Sequence, residues 1–235
     1  MTLDHVPFDT LGRMDIDWLQ ARYHFSFANY RDPERQGLGP LLVWNDDTIR
    51  AGGGFPMHGH RDMEIVTYVR SGAISHEDHL GNRGRTEAGD VQIMSAGTGI
   101  QHSEFNEEDE ATQIFQIWIT PDREGHAPRW ETKAFPRGEQ AGTLVMLASG
   151  RDEDKGLDVP MIHQDAALFG ATLSDGQSVA HIFSGYRKGY LVPSRGTVLV
   201  NGTEIGERAG AAIAGEREIT ITAQGDAEFV LADLP

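Results

Sequence analysis

The stretch FPMHGHRDMEIVTYV, Phe55 to Val69, places two histidines one residue apart, after three glycines and before a run rich in β-branched residues. Extended chain advances roughly 3.3 Å per residue and alternates its faces, so His58 and His60 project to one side about 6.6 Å apart along the backbone. Both imidazoles can then converge on one ion. The same spacing returns in GTGIQHSEFN, Gly97 to Asn106, where His102 and Glu104 flank Ser103. Two such pairs on neighbouring strands enclose an ion with three imidazoles and one carboxylate, a donor set that suits Fe, Mn, Ni, Cu or Zn. An isolated His-x-His is more often plain surface than a site. Here each pair lies beside glycines that let backbone come close (AGGGFP and SAGTG), and the combined signal is stronger than either half.

Outward from this stretch, helical periodicity is scarce, and short apolar or alternating runs recur between Gly, Asn, Asp and Pro clusters. Strands are expected at Leu41–Trp44, Glu64–Arg70, Ala73–Glu77, Val91–Met94, Thr112–Ile119, Gly142–Leu147, Val179–Phe183, Gly189–Val192, Thr197–Val200, Glu218–Thr222 and Glu228–Ala232. That rhythm predicts an all-β sandwich or barrel. HLGNRGR (His79–Arg85) and VNGTE (Val200–Glu204) carry the Gly-Asn and Asn-Gly pairs of tight hairpins, because both residue types tolerate φ > 0. LDVPMIHQDAALFGATL (Leu157–Leu173) reads as a helix or turn, and the charged SGRDEDKGLDVP (Ser149–Pro160) as a linker. The halves also resemble each other: VRSGAISHED and TEAGDVQIMSAG return loosely as VPSRGTVLVNG and ERAGAAIAGERE, matching Gly72 to Gly196 and Gly89 to Gly210. Two copies of one β module are expected.

Composition narrows the function classes. The 235 residues include no cysteine, so any metal must be held by His, Asp or Glu. A formal charge of -16 repels nucleic acid and anionic membranes, while leaving room for a basic protein partner. MTLDHVPFDTLGRMDIDWL has no basic leader followed by an apolar core, and no segment approaches the roughly 18 apolar residues of a membrane span. A soluble, cytoplasmic protein is expected.

The residues Gly52 to Asn106 carry a family resemblance. The general cupin pattern Gly-x5-His-x-His-x3-Glu-x6-Gly is met by Gly52, His58, His60 and Glu64, with Gly72 one residue late. In the second motif Gly97 stands where cupins usually have Pro, followed by Gly99, His102 and Asn106. HLGNRG, AGDVQ, MSAGTGIQHSE and the terminal VLADLP resemble pirins and pirin-like quercetin 2,3-dioxygenases. That resemblance implies a bicupin: two jelly-roll-like β-barrels, face to face. The N-terminal, metal-binding cupin would span 1–148, the linker 149–160 and a degenerate C-terminal cupin 161–235, with RYHFSFANY (Arg22–Tyr30) adding strands to the C-terminal barrel. One divalent transition metal is implied, iron first, with Mn, Ni, Cu, Co or Zn as alternatives. Its ligands would be His58, His60, His102 and Glu104, since the pirin carboxylate ligand belongs to the His-Ser-Glu motif. Glu64 is the ligand expected from other cupins. A straight strand would carry it about 13 Å beyond His60, too far to share the ion unless RDM (Arg61–Met63) forms a turn, so it is expected to hold an imidazole N–H from outside.

The activity implied is the opening of a flavonol heterocycle by dioxygen with release of carbon monoxide, Glu104 accepting the proton of the substrate 3-hydroxyl. Phe55, Met57, Trp44, Phe115 and Trp118 are candidate pocket walls. The alternative is a metal-dependent, redox-sensing regulatory protein without dioxygenase turnover, in which the redox state of the ion alters the surface offered to a protein partner. In the second half the ligand positions fall near Ile182, Ser184 and Ala223, which cannot ligate as imidazole does, and the lone His181 reads as a hydrogen-bonded structural residue. Tyr186, Arg187, Lys188 and Tyr190 stand either at a barrel mouth or on a solvated edge strand.

Overall fold

The computed structural model describes residues 2–235. Met1 lies outside them. The described chain forms, in order, β1 (Thr2–Val6), β2 (Gly12–Asp15), β3 (Leu19–Tyr23), β4 (Leu41–Ile49), β5 (Gly54–His60), β6 (Glu64–Ser71), β7 (Ala73–Asp78), β8 (Arg83–Glu87), β9 (Asp90–Ser95), β10 (Ile100–Phe105), β11 (Thr112–Ile119) and β12 (Arg129–Ala134). It continues through β13 (Val145–Ser149), β14 (Ala167–Leu173), β15 (Ser178–Ile182), β16 (Lys188–Val200), β17 (Thr203–Ile205), β18 (Gly210–Ala214) and β19 (Glu218–Leu234). The only helical pieces among the described residues are three short 3-10 turns. The all-β expectation holds.

Two compact units result, one of residues Gly12–Ala134 with Pro160–Gln164, the other of the chain up to Leu11 with Phe135–Val159 and Asp165–Pro235. Phe135–Val159 thus packs with the C-terminal strands and Pro160–Gln164 with the N-terminal ones. The stretch read as a linker is tied down: Arg151 is buried and ion-paired with Asp154 (2.6 Å) and Asp233 (3.1 Å). RYHFSFANY does not extend the C-terminal unit. Its first residues end β3, which pairs with β4, because Leu19, Ala21 and Tyr23 alternate inward and pack on Ile49, Val69, Ile74 and Ile114. It is β1 that joins the C-terminal unit, through β18.

The C-terminal unit holds an eight-stranded sheet ordered β1-β18-β16-β19-β14-β13, with β15 on β19 and β17 on β16. The pairs read from sequence as separate strands merge into the 13-residue β16 and the 17-residue β19. Register shifts at Pro193/Arg195 and Arg195/Thr197 bend β16 where Pro193 lacks a donor and Gly196 adopts φ +72°. Gly72, its counterpart in the repeat, adopts φ +75°. ALFGATL (Ala167–Leu173) forms strand β14 and not a helix, because it is hydrogen-bonded on both sides, to β13 and β19. β16 is no edge: Tyr190 is buried and Arg187 is ion-paired with Asp165 and Asp233, while Tyr186 is fully exposed. The interior of this unit is mainly apolar, filled by residues such as Phe169, Phe183, Leu191, Val198, Ile221 and Phe229, with buried charges gathered around Asp233.

The N-terminal unit pairs a four-stranded sheet, β5-β10-β7-β8, with a seven-stranded one, β12-β9-β6-β11-β4-β3-β2. Its interior is layered. Along β6 the inward positions are Ile65, Thr67 and Val69; Ile65 packs with Met94, Ala96 and Ile100, and Val69 with Ile49, Ile74 and Ile114. Thr67 lies between those two apolar clusters. A polar layer therefore crosses the middle of this sandwich.

Candidate metal centre

The ladder between β5 and β10 assembles the histidines. Ile100 pairs with His60 and His102 with His58; then a bulge intervenes before Glu104 pairs with Phe55. The extra residue lies at Pro56–Met57, where proline offers no ladder donor. The strands come close because residue 54 is glycine: a Cβ there would stand 2.4 Å from the Glu104 carbonyl oxygen. Ring centroids lie 4.7 Å apart for His58 and His60, 4.5 Å for His58 and His102, and 5.0 Å for His60 and His102. One donor atom from each of the three falls within 4.8 Å of the others. The motif Asn106 fixes the loop behind them, donating to the carbonyls of Ile49 (2.9 Å) and Glu110 (2.8 Å).

Glu104 stands one step back. It is buried, and its carboxylate accepts hydrogen bonds from Gln92 and Thr67 on Oε1 and from Gln116 on Oε2 at 2.9 Å. A second group of donors, His76, His102 and Glu104, also lies within 4.8 Å. Glu104 thus meets the histidine triad through His102. Asn45, Gln116, Thr67 and Gln92 pair in register across β4, β11, β6 and β9, so one polar row crosses the seven-stranded sheet and faces Glu104. None of these residues, nor His76, was singled out from sequence. The signal was there: one polar residue interrupts each of the apolar runs EIVTYV, DVQIM and IFQIW.

Glu64 does not hold an imidazole of the triad. The chain reverses after His60, with Asp62 at φ +46°, and β6 enters the opposite sheet. There Glu64 accepts from Ser95 Oγ at 2.6 Å and from the His163 backbone N–H. Of the expected pocket walls, Phe55 and Trp118 line a cavity of about 220 Å³ together with His58, His60, Glu104 and Gln116. Met57 is exposed. Trp44 and Phe115 alternate to the other face of the seven-stranded sheet and pack on each other, centroids 5.9 Å apart. His181 behaves as expected, with Nε2 2.9 Å from Asp233 Oδ2, between Phe169 and Phe183.

Electrostatics sets the protonation states. Burial, with the like charge of neighbouring imidazoles, pushes His102 down to about 3 and His60 down to about 4. Both are neutral near pH 7. Burial pushes Glu104 up to about 7, against the opposing effect of its three hydrogen bonds. Asp47, also lining the cavity, is raised well above the carboxylate range by burial and then by Asp46 and Glu104.

These residues fit a divalent cation. His58 Nδ1 lies 2.8 Å from the Pro56 carbonyl and donates to it, which leaves Nε2 with a lone pair. His102 Nε2 is buried without a hydrogen-bond partner. Neutral imidazoles with bare nitrogens beside a carboxylate are a ligand set for a first-row transition metal. The C-terminal unit supplies neither of the two candidate donor groups found among the described residues.

Comparison with known proteins agrees. Residues 7–119 match the pirin family and residues 146–234 the quercetinase C-terminal cupin domain. A pirin-like protein of Caulobacter vibrioides is 54% identical over 98% of this chain and 99% of its own. A quercetin 2,3-dioxygenase of Escherichia coli K12 is 42% identical over 95% of both chains. Among solved structures, the bacterial pirin YhhW of Escherichia coli in complex with nickel(II) superposes with a TM-score of 0.91 at 37% identity, covering 100% of this chain and 99% of that one. With its two cupin units, its histidine pairs and this breadth of similarity, the chain belongs to the pirin family.

Proposed function

We propose that this protein is a metal-dependent dioxygenase of the quercetin 2,3-dioxygenase type, opening the heterocycle of a flavonol with dioxygen and releasing carbon monoxide. The observation that carries the reading is a buried carboxylate, Glu104, beside three clustered histidines at the wall of an apolar cavity. His58, His60, His102 and Glu104 would hold one divalent ion, iron first; relatives named quercetin 2,3-dioxygenase and a relative solved with nickel support the assignment. When bound, the ion supplies Lewis acidity and an open position for oxygen donors.

The chain's own residues do the rest. Glu104, buried at the cavity wall beside the histidines, takes the proton of the substrate hydroxyl. Gln116 and Gln92 hold the carboxylate in place by donating to one oxygen each. Phe27, Phe55 and Trp118 give the cavity apolar aromatic walls for a planar ring system and keep water from the reacting carbons. Asn45 Oδ1 and Asp47 Oδ1 are buried in that cavity's lining without partners, and the amide oxygen as acceptor and the Asp47 carboxyl as donor or acceptor can meet phenolic hydroxyls. The absence of cysteine suits the reducing cytoplasm.

The test is aerobic incubation of protein loaded in turn with Fe, Mn, Ni, Cu and Co with quercetin. Oxygen uptake, loss of the flavonol absorbance and carbon monoxide release are expected together. Their absence with every metal would overturn the dioxygenase reading in favour of a regulatory pirin.

A further inference from the structure

The HLGN turn and the buried residues before it are not used by the chemistry above. Asp78, the last residue of β7, accepts backbone N–H bonds from Leu80 and Asn82 on Oδ1 (3.0 Å each) and the Asn82 side-chain amide on Oδ2 (2.9 Å). Its Oδ2 also lies 3.1 Å from His76 Nε2, with both side chains fully buried. The other nitrogen of that ring, His76 Nδ1, is 3.4 Å from His102 Nδ1. Trp130 stacks on the His76 ring, centroids 5.1 Å apart and planes within 10°. Gly84, paired with His76 on β8, makes room for it, since a Cβ there would run into the Trp130 ring.

The hydrogen-bond directions follow one from another. An ionised Asp78 only accepts, so His76 Nε2 carries the proton. A neutral His76 then has a bare Nδ1, which can only accept, so His102 Nδ1–H must be the donor. His102 Nε2 is left without a proton, and that is the buried atom without a partner. We infer that Asp78 and His76 are positioning residues that fix His102 as its Nδ1–H tautomer and so present a bare Nε2 to the metal. Carboxylate–histidine pairs behind a ligand commonly orient it and raise its basicity. Here a second imidazole is interposed, and the hairpin HLGN supplies the anchor.

The inference rests on the metal site of the proposed function but not on its substrate, so it is tested without turnover. In metal-free protein labelled with nitrogen-15 in histidine, at pH 7.5, long-range imidazole correlations should show His102 as the Nδ1–H tautomer and His76 as the Nε2–H tautomer. His102 found as Nε2–H would overturn the inference whatever the enzyme does. His76→Phe keeps a ring against Trp130 but removes the acceptor; it should shift His102 toward Nε2–H and weaken nickel(II) binding about 10- to 100-fold by chelator competition, with one ion still bound at saturation. His76→Gln, whose carbonyl can accept from His102 Nδ1–H, should recover most of that affinity. Unchanged affinity in His76→Phe would refute the inference, as would complete loss of the ion, which would make His76 a ligand. Nickel retained by His102→Ala would instead refute the site itself.

Discussion

His58 and His102 stand directly opposite each other on β5 and β10, with ring centroids 4.5 Å apart, and both are tautomerically committed by a neighbour on Nδ1. Strand pairing brings the rings together, and the hydrogen bonds behind them turn their free nitrogens toward one point.

From that arrangement, protein purified with its metal should hold close to one ion per chain by elemental analysis. His58→Ala, His60→Ala and His102→Ala should each lose it. His181→Ala should keep it but unfold at lower urea, by about 1–3 kcal/mol, because it strips a hydrogen bond from buried Asp233. Two firmly bound ions per chain would contradict a single site.

Glu104 makes a pH prediction for the metal-free protein. Its folded pKa, about 7, lies above its ordinary value of 4.5, so between those values the folded chain binds more protons than the unfolded one. Stability contributed at Glu104 is therefore full below about pH 4.5 and declines up to about pH 7. Glu104→Gln has no such charge to bury. Urea unfolding should show the variant gaining on wild type by roughly 3 kcal/mol between pH 4.5 and 8, and a constant difference would contradict the assignment.

Glu64→Gln separates the two buried glutamates. Glu64 serves Ser95 and the His163 backbone N–H, so its substitution should lower stability by about 1–3 kcal/mol while nickel content stays near one. Loss of the ion at unchanged stability would restore Glu64 to the ligand set of other cupins.

Asp47→Leu should leave metal binding intact and raise KM for quercetin roughly five-fold, the loss of about one hydrogen bond. KM for a flavonol lacking hydroxyls on its pendant ring should not move. Equal effects on both substrates would show that Asp47 shapes the cavity and does not read hydroxyl groups.

Much of this was legible in the sequence. Ligand-type residues two apart beside glycines, His58 with His60 and His102 with Glu104, mark β5 and β10 in combination, and the Gly72/Gly196 correspondence marks the repeat, both adopting left-handed φ. The polar layer was hidden for a physical reason. Thr67, Gln92 and Gln116 sit in strands that are apolar on both faces, so alternation does not say which side they face; only the register of β11, β6 and β9 aligns them on Glu104. His76 was hidden likewise, since its role depends on the pairing of β7 with β10, which sets it opposite Glu104 and Asp78 opposite His102. The place of Glu64 was hidden because spacing does not say whether, or in which direction, RDM turns; Asp62 at φ +46° carries the chain into the opposite sheet.

The most direct test of the central claim is carbon monoxide in the headspace over aerobic quercetin, measured for wild type and Glu104→Gln loaded to the same metal content. Wild type should release one carbon monoxide per flavonol consumed, and Glu104→Gln essentially none. No carbon monoxide from loaded wild type, or equal release from both proteins, would contradict the account of Glu104 as the base of a flavonol dioxygenase.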